Sequence, residues 1–65
     1  MKRTALALLY FPDTTPRNAR RRLTEWIHHC PELYALLTKG GRKFDGRQEL
    51  TAREVRLIQQ YLGEP

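Results

Sequence analysis

Arg17, Asn18, Arg20 and Arg21 fall close together in a stretch that reads as the opening of a helix. Arginine grips guanine O6 and N7 with two bonds, and asparagine does the same to adenine N6 and N7. Side chains in the first two turns of a helix laid in the major groove are the ones that reach base edges. Thr14 and Thr15, just ahead of them, bring hydroxyls to the same end. The chemistry on offer is recognition of a duplex rather than the making of bonds. The same face also fits a solvated surface helix, in which Glu25 pairs with Arg21 or Arg22 for roughly a few tenths of a kcal/mol.

Other cations extend this reading. Lys2, Arg3, Arg42, Lys43 and Arg47 are expected to meet backbone phosphates, the last three from a small wing, or else to act as solubilising charge beside it. Twelve Lys and Arg against seven Asp and Glu leave a net charge of +5. Such a balance favours an anionic partner, nucleic acid first and an anionic membrane surface second.

Rival chemistries find little to work with. His28, His29 and Cys30 invite a metal, but no second Cys or His group supplies the remaining ligands zinc requires. Cys30, on the apolar stripe, reads as a buried thiol, and a single cysteine permits no internal disulfide. The chain contains no serine, no paired acids in a plausible cleft, and no phosphate-cradling loop, since Gly40-Gly41 lacks the lysine of a P-loop. No catalytic residue, cofactor, metal or small-molecule substrate is expected, and the chain does not read as an enzyme. Trp26, Tyr34, Phe11 and Phe44 could stack on unpaired bases. Trp26 sits on the apolar stripe, so core packing is the expectation for it, whereas Phe44 is the least committed of the four.

These residues need a scaffold, and 65 residues suffice for one small domain, 1–65, with a marginal core. Thr4 is placed to cap a first helix running to about Phe11, where Pro12 ends it. Pro12-Asp13-Thr14-Thr15 is a turn, and Thr15 then caps a second helix from Pro16 to about His29. Ala19, Leu23, Trp26, Ile27 and Cys30 recur on its apolar face, and Arg17, Arg21, Thr24 and His28 lie opposite. Pro31 opens a third helix through Lys39, with Gly40 suited to the left-handed position beyond it. Asp45-Gly46 signals a short hairpin, flanked by Arg42-Lys43-Phe44 and Arg47-Gln48-Glu49, or a basic loop. Thr51 and Glu54 form a capping box with Leu50 and Val55 as its staple, and Gly63 stops the final helix, 52–62.

The order helix, short turn, basic helix, hairpin and Thr-x-x-Glu-capped helix resembles the winged helix-turn-helix of the MerR and excisionase type. That resemblance implies a supporting helix at Ala5–Phe11, a groove-entering helix at Pro16–Ile27 and a wing at Arg42–Gln48. The helix at Leu33–Lys39 is an insertion in that pattern, and the dimerising helix and effector part of MerR regulators are missing. A second likeness covers almost the full length. Leu9-Tyr10-Phe11-Pro12-Asp13, Thr15-Pro16, Trp26-Ile27, Cys30-Pro31, Arg53 to Ile58 and Tyr61 to Pro65 are similar to a family of short uncharacterised proteins from gut anaerobes. That family is classed only as a domain of unknown function and implies no activity.

The expected fold is mainly α, three to four short helices with a small β-hairpin, winged helix-turn-helix-like. The expected function is binding of double-stranded DNA through helix 16–29, with the hairpin on the backbone. The alternative is a small protein-interaction module, by self-association or with a protein partner, docking through Leu57 and Tyr61 of the last helix. No segment approaches a membrane span, and the lone thiol fits the cytoplasm.

Overall fold

The computed structural model describes residues 1–41, 44 and 48–65. Among these, the chain folds into α1 (Arg3–Tyr10), α2 (Pro16–His28), α3 (Pro31–Leu37), a 3₁₀ turn at Lys39–Gly41, and α4 (Ala52–Leu62). Each helix packs on the next in sequence, α1 on α2, α2 on α3 and α3 on α4.

Prolines and caps set the boundaries. Pro12 keeps Phe11 out of the helical region, at φ −131° and ψ 72°, so α1 stops at Tyr10. In α2 the Thr15 hydroxyl accepts the Asn18 N–H at 3.2 Å, and Pro16 fills the first turn where its missing N–H costs nothing. Ala19, Leu23 and Ile27, spaced four apart, are its buried stripe. At α4 the Thr51 N–H donates to Glu54 Oε1 at 2.9 Å, and the Glu54 N–H donates to Thr51 Oγ1 at 3.2 Å. Gly63, at φ +86°, ends this helix in a conformation that favours glycine. Leu50 is buried and Val55 half-buried on either side of the cap, as a hydrophobic staple requires. Thr51→Ala is expected to lower the unfolding free energy by about 1 kcal/mol, with Thr51→Ser near wild type, in urea melts followed by circular dichroism.

The mainly helical class agrees with expectation, but several local readings need correction. The expected first cap, Thr4, lies inside α1; Lys2 occupies the cap position and makes no side-chain bond there. The cause is a non-local pairing. Residues 1–3 run antiparallel to residues 48–50, with a bridge between Lys2 and Glu49. The Arg3 N–H donates to Gln48 O at 2.7 Å and the Leu50 N–H to Met1 O at 2.8 Å. Lys2 is thereby held extended, and the helix begins at the next residue.

Among the described residues this isolated bridge is the whole of the β structure, and no strand forms. The expected hairpin turn, Asp45-Gly46, and its arm residues Arg42, Lys43 and Arg47 lie outside the described residues. Where the second arm is described, Gln48 and Glu49 face residues 1–3. The third helix is also shorter than expected, closing at Leu37 rather than Lys39. Thr38 caps it and turns its hydroxyl back to Tyr34 O at 2.8 Å. Gly41 takes a left-handed φ of +80° at the end of the 3₁₀ turn that follows α3.

The core gathers Leu6, Leu23, Ile27, Leu33, Leu37 and Ile58 from all four helices, with Phe44 and Leu50 from the connection before α4. Phe44, the uncommitted aromatic of the sequence, is only 1% exposed.

Candidate nucleic-acid interface

The polar side of α2 is where the expected contacts lie. Arg17, Asn18 and Arg21 are exposed and Arg20 is half-buried, because Ala19, Leu23 and Ile27 turn the opposite stripe into the core. Thr15 is exposed at the cap and Thr14 is half-buried in the preceding turn. An open groove of about 620 Å³ runs along this side, lined by Arg17, Asn18, Arg20, Arg21, Thr24, Glu25, His28, His29 and Arg3. All of its lining side chains are polar or charged, and cations outnumber the single carboxylate. Arg21 Nε lies 3.9 Å from Glu25 Oε1, with both side chains well exposed. An exposed pair at such a distance contributes about 0–1 kcal/mol and yields readily to a stronger anion. Thr24 folds its hydroxyl back to Arg20 O at 2.9 Å, so it is less free to meet a ligand.

Arg3 is not the surface phosphate contact expected of it. It is 3% exposed; its guanidinium donates to the Phe44 carbonyl and lies over the Phe44 ring, 4.3 Å from the centroid. Arg3 therefore anchors the connection before α4 while touching the groove floor. Its sequence neighbour Lys2 does stay exposed. Arg42, Lys43 and Arg47 lie outside the described residues.

Trp26 departs from expectation as well: it is 44% exposed instead of packed in the core. It meets Phe11 edge-on at 4.8 Å between centroids and Tyr10 at 6.4 Å, forming an aromatic cluster at the end of α1. A signal for this was present, since Arg22 precedes Trp26 by one helical repeat and marks that line of the helix as the border of the solvent face. Tyr10 is fixed from its other end, where its hydroxyl donates to the Gly63 carbonyl. Burial, and then the Glu64 carboxylate, raise the pKa of this hydroxyl above its ordinary value, keeping it a donor.

Cys30 is half-buried at the α3 cap rather than fully enclosed, because α2 has already ended there. His28 stacks obliquely on Tyr34, 4.5 Å between ring centroids. Among the described residues no three His, Cys, Asp or Glu side chains gather where a metal ion could be held. The alternative docking residues, Leu57 and Tyr61, are half-buried and packed against the core. Tyr61 donates its hydroxyl to Glu32 Oε1 at 3.1 Å, tying α4 to α3. Among the described residues, no helix is long and apolar enough to cross a membrane.

No curated protein and no solved structure matches this chain. A family model does, over residues 1–65, and its description is Domain of unknown function (DUF4248). With the match running the length of the sequence, the chain belongs to the DUF4248 family.

Proposed function

We propose that this domain binds double-stranded DNA, with α1, the turn and α2 acting as a helix-turn-helix unit and α2 lying in the major groove. One observation carries the reading. Arg17, Asn18, Arg20 and Arg21 line a single open, cationic groove along the first turns of a well-capped helix. Bases are read from that end of a recognition helix, and Arg and Asn have the forked donors and acceptors that base edges require. The net charge of +5 supplies attraction to any duplex before sequence is read. Arg42, Lys43 and Arg47 join the proposal by charge alone, as phosphate contacts. A cytoplasmic setting accompanies it.

A module of this size covers roughly 600–1,000 Å² of its own surface on DNA. Tight binding would therefore require paired sites, a second copy or a partner protein.

The test is a fluorescence anisotropy titration of a labelled mixed-sequence duplex at several salt concentrations. Neutralising about four phosphates gives a slope of log affinity on log salt near −3.6. A slope of that order, with amide shifts in NMR spectra confined to residues 14–24 and 42–47, supports groove binding. No binding at low salt by a folded protein overturns it. Salt-tolerant association that disappears on altering Leu57 or Tyr61 would instead establish protein docking through α4.

A further inference from the structure

Beside the arginine groove, around the edge of α2, lies a second and smaller cleft of about 270 Å³, lined by Tyr10, Phe11, Pro12, Asp13, Thr14 and Arg22. Its size falls just below the roughly 300–1,000 Å³ of sites that enclose a whole drug-sized ligand, so it suits one planar group. Three features of the wall define that group. Phe11 is braced by Trp26 packed edge-on at 4.8 Å, which holds a flat apolar surface at the cleft. Arg22, exposed on α2, carries its guanidinium over the same Phe11 ring at 5.9 Å. Asp13, also exposed, places a carboxylate at the lip, with Thr14 next to it.

We infer that this cleft takes an unpaired DNA base, stacked between the Phe11 ring and the Arg22 guanidinium, with Asp13 accepting from the base edge. The inference deepens the duplex-binding reading and rests on it for the source of the strand.

A base between two flat groups needs about 3.5 Å on each side, or about 7 Å in all. Arg22 stands at 5.9 Å and is exposed, so a small outward swing of its side chain opens the space. Aromatic rings and arginine planes are the surfaces on which splayed bases rest. The charge argues for a nucleotide over an apolar partner, because Arg20 and Arg21 line the groove and the next residue, Arg22, lines the cleft. Asp13 as an acceptor favours bases that present amino or ring N–H donors, and disfavours thymine, whose edge offers two carbonyls to one N–H.

Trp26 is the sole tryptophan, and its contact with Phe11 makes its fluorescence a direct reporter on the cleft. The full chain is titrated with a blunt duplex, the same duplex carrying a two-nucleotide guanine overhang, and the single strand alone. The overhang is expected to tighten binding by about 5- to 100-fold, the effect of one stacked base, and to quench Trp26. Arg22→Lys keeps the charge and loses the plane; it is expected to leave blunt-duplex affinity unchanged while removing most of the overhang gain. Asp13→Asn is expected to erase the preference for guanine over thymine overhangs.

If the blunt duplex binds and the overhang adds neither affinity nor quenching, the inference is overturned and the groove reading survives. If the blunt duplex fails but the single strand binds with Trp26 quenched and sensitivity to Arg22→Lys, the cleft is upheld and the duplex reading falls. If nothing binds, both are overturned.

Discussion

Arg3→Ala is expected to lower the unfolding free energy by about 2–4 kcal/mol, read from urea melts followed at 222 nm. The substitution removes a charged donor from the Phe44 carbonyl, a hydrogen bond worth about 1.5–3 kcal/mol. It also removes a cation from the face of a buried ring, worth about 0.5–2 kcal/mol. Against a total of about 3–10 kcal/mol for a chain of this length, the decrease is a large fraction, and partial unfolding at 37 °C follows. Lysine should not rescue it, because an ammonium lacks the planar fork that serves carbonyl and ring together. Unchanged stability with weakened DNA binding would instead restore Arg3 to the surface role its sequence position suggests.

The second large effect is on affinity. Arg17→Gln combined with Arg21→Gln is expected to weaken binding to the preferred duplex by about 30- to 25,000-fold, at about 1–3 kcal/mol for each bidentate arginine–guanine pair removed. Stability should move by less than about 0.5 kcal/mol, since both side chains are exposed and the Arg21–Glu25 pair is long. Breaking that pair alone with Glu25→Gln is expected to strengthen DNA binding slightly by removing the groove's carboxylate. A double variant that binds as wild type at low salt would return the arginines of α2 to the status of a solvated face. Anisotropy at two salt concentrations separates weakened base recognition from weakened general charge attraction, because only the latter flattens the salt slope markedly.

What is legible in the sequence is local. Thr15 with Pro16, and Thr51 with Glu54, are signals a few residues long, and the structure places both caps as read. The stripe of Ala19, Leu23 and Ile27 follows from helical periodicity alone, and with it the exposure of Arg17 and Arg21. Trp26 shows the limit of that method: it lies one position from Ile27, and a helix of this width can bury Ile27 while leaving its neighbour at the rim. The hairpin expected around Asp45-Gly46 rests on turn chemistry with poorly alternating arms. Nothing in a window of that size can reveal that Gln48 to Leu50 pair with the first residues of the chain. The same blindness affects Arg3, which holds Phe44. Charge suggests a surface role for any arginine whose partner stands, as here, 41 residues further along, beyond the reach of local pattern.

That long-range pairing also has a consequence for when the domain can be completed. A ribosome adds about 5–20 residues per second, so Leu50 follows Met1 by roughly 2–10 s. The contacts of α1 with α2 are close in sequence, whereas Arg3 has no Phe44 to hold and Lys2 no Glu49 to face until that stretch has been made. Residues 1–3 therefore find their partners only once the stretch through residue 50 has joined them. Closing them onto residues 48–50 is the step that turns a helical pair into a finished domain.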